Sequence, residues 1–122
     1  MSEIRANTVS DAAGTGPVTL TGQSAAKAWG SAITNTTPAT LSGNLNVSSF
    51  LDSGTGDFTF SFSNAMLNTE YNVLSGCGGG SLISVIVPTP KVVGSQSVLA
   101  VDSSGAAVDG SHVYIAIHGD LA

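Results

Sequence analysis

The sequence predicts an all-β fold: an antiparallel β-sandwich, jelly-roll-like, preceded by an extended N-terminal arm. Three observations lead there. Phe58, Phe60 and Phe62 alternate with Asp57, Thr59, Ser61 and Ser63, the two-residue period of a strand with one face buried. Further short apolar runs recur along the chain, each closed by Gly, Pro, Ser or Asp, and from Ile33 onward no stretch sustains the 3.6-residue period of a helix. Charged residues make up only 9% of the 122-residue chain, against about 25% in an average soluble domain. Ser, Thr, Asn and Gly take their place, giving a surface that copies of the chain can cover at modest desolvation cost.

Residues 1–30 form the arm and residues 31–122 the sandwich. The arm carries turn residues at Gly14-Thr15-Gly16-Pro17, a short alternation over Val18-Thr19-Leu20-Thr21, and an alanine-rich stretch ending at Trp29. Ser24 could cap one or two helical turns there, with Gly30 ending them. The region reads equally as an arm that packs against another body or as a first strand of the same domain. Next comes Leu45 to Leu51, joined to the Phe58–Phe62 strand by Asp52-Ser53-Gly54-Thr55-Gly56-Asp57, whose glycines and aspartates suit a hairpin connection. Strands follow at Tyr71 to Leu74, Leu82 to Val87, Ser97 to Val101 and His112 to Ile117. Pro88 and Pro90 end the Leu82 strand, because proline donates nothing to a ladder. That strand and the one at His112 are apolar on both faces, and such strands must be covered on both. In a domain of this size the second cover is expected from another subunit, with Ile83, Val85, Val113 and Ile115 as the candidate interface residues.

Arg5, Lys27 and Lys91 are the only cations against eight Asp and Glu, a balance that excludes binding to nucleic acid by counterion release or to an anionic membrane surface. No run approaches the roughly 18 apolar residues of a membrane span, and the first residues lack the apolar core of a secretory signal. The expectation is a protein made in a cytoplasm and kept there until assembly. In that setting the glycosylation acceptor patterns at Asn35-Thr36-Thr37 and Asn46-Val47-Ser48 carry no meaning.

Catalytic patterns are missing from the sequence, and no enzyme activity is expected. No G-x-S-x-G elbow presents a serine. His112 and His118 sit at the two ends of one expected strand, about 20 Å apart at about 3.3 Å per residue, so they share a site only if subunits bring copies together, as in a metal ring on a threefold axis. Asp52 and Asp57 flank one turn, where aspartate serves as a cap more readily than as half of a glycosidase pair. Gly76-Cys77-Gly78-Gly79-Gly80 lacks the Lys-Ser/Thr ending of a phosphate loop, and the single Cys77 excludes an intramolecular disulfide. No cofactor motif is present.

Two segments resemble a module that recurs in tail-fibre and other virion structural proteins of tailed bacteriophages. One runs from Ser2 to Leu20 (SEIRANTVSDAAGTGPVTL) and on to Gln23–Trp29 (QSAAKAW); the other joins Asn46-Val47-Ser48-Ser49 to Asp52 through Phe60 (DSGTGDFTF). The closing Ile115 to Leu121 is similar to that module's last strand, and the likeness covers about half the chain. The chain departs from the module after Trp29, where Gly30 to Pro38 replaces a Val-Asn-Phe-like strand. The resemblance implies a homotrimeric, β-rich virion component: a tail-fibre or spike part involved in host attachment, or alternatively a capsid decoration or head-fibre protein. Its partners would be copies of itself, other virion proteins and a host-cell receptor. The arm would dock onto the particle, with Arg5, Asn7, Lys27 and Trp29 as the attachment residues.

Overall fold

In a computed structural model, residues 25–79, 83–86 (as backbone) and 91–122 are described. They form eight strands: β1 (Ala28–Ile33), β2 (Thr40–Leu45), β3 (Val47–Gly54), β4 (Asp57–Phe62), β5 (Asn72–Gly78), β6 (Ile83–Ile86), β7 (Ser95–Val101) and β8 (His112–His118). No helix occurs among the described residues. Two four-stranded antiparallel sheets result, sheet A in the order β2-β1-β8-β5 and sheet B in the order β3-β4-β7-β6.

One apolar cluster joins the sheets. Sheet A contributes Ala28, Ala32, Val73, Val113, Ile115 and Ile117, and sheet B contributes Val47, Phe58, Phe60, Phe62, Val98 and Ala100. The phenylalanine alternation is therefore an inward face, with Phe58 and Phe60 fully buried. Small residues on β1 let the sheets approach: a Cβ on Gly30 would lie 2.7 Å from two ring carbons of Phe60. The core also holds Tyr71, whose hydroxyl lies within hydrogen-bond reach of the Val92 carbonyl (3.0 Å), the Ser95 carbonyl (3.3 Å) and the buried Gln96 Oε1 (3.1 Å). Burial holds the Tyr71 pKa above its ordinary value, so the group remains a donor.

The chain turns sharply at two places, one between the sheets and one within sheet B. Asn46 links β2 to β3 with φ 55°, a left-handed conformation that asparagine tolerates, and its Oδ1 accepts the Asn64 N–H at 2.7 Å. At the β3–β4 turn Gly56 has φ 70°, its N–H donates to Asp109 Oδ1 at 2.6 Å, and a Cβ there would meet the Ala100 carbonyl at 2.5 Å. Asp52 acts as a turn cap, accepting the Gly54 N–H at 3.2 Å.

Three sequence expectations are corrected. Ala28 and Trp29 are not helical: they open β1, whose ladder with β8 sets Ala28 opposite Ile117 and Trp29 opposite Ala116. A boundary between residues 30 and 31 falls inside that strand, so Lys27 and Trp29 belong with the sandwich. The expected strand from Leu45 to Leu51 is two strands in different sheets, broken at Asn46.

Candidate functional site

Alternation along each strand of sheet A sends one set of side chains into the core and the other outward. On β1 the inward set is Ala28, Gly30 and Ala32, and on β8 it is Val113, Ile115 and Ile117. Val113 is fully buried and Ile115 is 4% exposed, covered by the chain's own sheet B. Their proposed place in a subunit interface is thereby corrected, since one chain already supplies the cover. Ile83 and Val85 stand opposite Val101 and Leu99 in the β6–β7 ladder, and their side chains lie outside the described residues. Arg5 and Asn7 also lie outside them.

The outward set is where the unusual chemistry collects. Cross-strand register aligns Leu45, Trp29, Ala116 and Leu74 in one row across all four strands, spanning about 14 Å at about 4.8 Å per strand. The next row is Gly43, Ser31, Tyr114 and Gly76, and the one after it Thr40, Ile33, His112 and Gly78. Trp29 is 41% exposed, Leu45 49%, Leu74 58% and Tyr114 42%. No Lys, Arg, Asp or Glu occupies these three rows.

Glycines let the rings lie along the sheet. A Cβ on Gly43 would sit 3.4 Å from the Trp29 indole, and one on Gly76 would sit 3.8 Å from the Tyr114 ring. His112 stacks on Tyr114 with centroids 6.0 Å apart and planes 3° from parallel. The result is a broad aromatic and aliphatic surface with hydroxyls near it, Ser42 Oγ donating to the Ser31 carbonyl at 2.9 Å. Its rim at the His118 end holds a shallow depression lined by Glu70, Asn72, Leu74, His118 and Asp120.

Such a face can associate. His112 and His118 both point outward from β8 but at opposite ends, and no group of three or more His, Cys, Asp or Glu among the described residues could hold a metal ion. Cys77 is half-buried against the core, and burial pushes its thiol pKa up, away from the reactive thiolate. Lys27, just before β1, is tied by its backbone N–H to the Ile117 carbonyl at 2.7 Å, and alternation from the inward Ala28 places it on the outward side, beyond the Trp29 row.

A smaller apolar patch caps one end of the sandwich. Leu67 is 59% exposed, Val92 52% and Val93 39%. The Met66 N–H donates to the Val93 carbonyl at 2.8 Å and holds the two segments together. The sequence reading missed this patch, because isolated Leu and Val residues in loops carry no period. It also passed over Leu45 and Leu74, whose alignment exists only through register.

Comparison with known protein families, with characterised proteins and with solved structures found no match to the chain.

Proposed function

We propose that this chain is a bacteriophage virion structural protein that works by self-association, as a homotrimeric tail-fibre or spike component involved in host attachment. The observation that carries the self-association is the uncharged row Leu45, Trp29, Ala116 and Leu74, with Tyr114 beside it, left exposed on the outer face of sheet A. Contiguous exposed apolar patches of this kind mark interaction surfaces. Scarcity of charge over the whole chain supports the same reading. The phage assignment rests on the sequence resemblance alone.

Finer features of the fold bear on this proposal. Pairing of the first and last strands, β1 with β8, ties the two ends of the sandwich together, while β2 beside β1, β3 beside β4 and β6 beside β7 are not the pairings of a jelly roll. The residues before the sandwich would form the arm that docks onto the particle through Arg5 and Asn7, with Lys27 at its base. Light scattering of the purified chain at micromolar concentration is expected to give three times the 12.1 kDa chain mass. A monodisperse monomer would overturn the reading. Electron microscopy of particles carrying labelled protein then places it: label on a fibre supports the attachment role, and label spread over the head supports capsid decoration instead.

A further inference from the structure

We infer that a groove at one end of the sandwich is the seat of the chain's own segment Val18–Thr21, with Val18 and Leu20 turned into it. The inference does not depend on the self-association proposed above. The groove has a volume of about 510 Å³, and its walls come from four parts of the chain: Ala25 and Ala26 ahead of β1, Leu45 at the β2–β3 corner, the residues just after β4, and Leu121 near the C-terminus.

Its polar wall is already hydrogen-bonded to itself. Asn46 Nδ2 donates to the Asn64 carbonyl at 3.0 Å, Asn46 Oδ1 accepts the Asn64 N–H at 2.7 Å, and the Ser63 N–H donates to the Asn46 carbonyl at 3.2 Å. What remains for an occupant is aliphatic: Ala26, Leu45, which is 49% exposed, and Leu121, only partly covered by the core. Leu121 is fixed there by its bridge to Met66 and by the Ala122 N–H donating to the Ala65 carbonyl at 3.0 Å. A site of this kind selects small apolar side chains, and a wall held in place beforehand loses little freedom on binding them.

Where the described chain begins names the occupant. Ala25 is both its first residue and a wall of the groove, and 24 residues precede it. The apolar pair of that stretch nearest to Ala25 is Val18 and Leu20, which alternate with Thr19 and Thr21 and carry no charge. An alternation of period two puts both on one side of an extended segment. Between Leu20 and Ala25 the chain can span at most about 17 Å, and Gly22 supplies the freedom that a return over Ala25 requires. So short a tether holds the segment at an effective concentration in the range of about 1 mM, so a rival at about 1 μM must bind roughly a thousandfold more tightly to displace it. Seated in this way, Val18–Thr21 leaves Arg5 and Asn7 beyond the groove, free for the particle.

The test uses the full chain. Cys77→Ala removes the native thiol, and a nitroxide on Thr19→Cys then sits between Val18 and Leu20 while leaving both intact. The nitroxide is expected to broaden the amide signals of Leu45, Asn64 and Leu121 and to leave sharp those of Gly54 and Asp102, which lie at the other end of β3, β4 and β7. The broadening is expected within the chain that carries the label, and not in isotope-labelled chains without nitroxide that are refolded together with nitroxide-bearing ones. In a second sample, Val18→Asp with Leu20→Asp is expected to shift the methyl signals of Leu45 and Leu121, while those of the buried Val98 stay in place and show that the variant folds. Groove amides that remain sharp, or Leu45 and Leu121 methyl signals unmoved by the aspartates, overturn the inference. Broadening confined to the mixed sample overturns it as well, because the occupant is then another copy; self-association stands or falls separately, on the mass of the unaltered chain.

Discussion

The two outer faces of this molecule are built on the same plan and made of different material. Sheet A turns outward Trp29, Tyr114, Leu45 and Leu74, whereas sheet B turns outward a row of Ser49, Ser61 and Ser95, beside it Leu51, Thr59 and Ser97, and beyond that Asp57 and Leu99. On sheet B the Thr59 and Ser97 hydroxyls pair at 2.9 Å. Alternation and strand number are the same in both, and both inward faces feed one core. The fold therefore needs neither outer composition. The hydroxyl-rich rows of sheet B satisfy themselves and water; an aromatic face over glycines gains only when something covers it.

The largest effect should come from making sheet A resemble sheet B. Trp29→Ser with Tyr114→Ser removes two aromatic anchors, each worth about 1.5–3 kcal/mol when fully buried, or about 10- to 100-fold in dissociation constant. The oligomer is expected to dissociate at micromolar concentration while the urea midpoint of the remaining monomer moves little. A trimer of unchanged mass would show that the aromatic face is idle.

A change beneath both faces should act on stability alone. Gly30→Ala would drive a Cβ to 2.7 Å from the fully buried Phe60 ring, which has no room to retreat. Overpacking of this kind costs about 1–3 kcal/mol, read as a lower urea midpoint at constant slope. Loss of association without loss of stability would mean that the sheets do not share their core in this way.

The sequence made the inward faces far more readable than the outward ones. The β3–β4 hairpin and β8 announce themselves because Phe58, Phe60, Phe62, Val113, Ile115 and Ile117 recur every second residue. Strand β1 misleads, since Ala25, Ala26 and Ala28 favour a helix by propensity, and only the ladder to β8 and the need for small residues opposite Phe60 override it. Strand β2 (TLSGNL) has too few apolar residues to show any period. Which face of β8 meets its own second sheet is also invisible locally. With Val113 on one side and Tyr114 on the other, both sides look coverable, and only the packing of the two sheets shows that Val113 faces inward.

A smaller effect should come from sheet B. Thr59→Ala and Ser97→Ala each break the hydroxyl pair, and the double-mutant coupling is expected at about 0.2–1 kcal/mol with no change in oligomer mass. A drop in mass would move the association surface to the hydroxyl face and reverse the contrast between the sheets.

The smallest effect lies in the loop between β7 and β8. Asp102 Oδ1 accepts the Ser104 hydroxyl at 2.6 Å, the Ser104 N–H at 2.8 Å and the Ala106 N–H at 3.0 Å. These bonds, the hydroxyl foremost, hold its pKa below the ordinary aspartate range. A depressed folded value means that the contribution to stability is present above the unfolded pKa and lost as pH falls through the folded one. Asp102 sits in a partly exposed surface loop where water screens its charge, so the change stays local. The amide signals of Ser104 and Ala106 should therefore titrate at lower pH than an unbonded aspartate would, and Asp102→Asn should abolish that response. The three rows of the sheet A face hold no carboxylate, so the oligomer's mass should stay constant while the loop titrates; a mass that falls in step with those signals would place the association at the loops and not on the aromatic face.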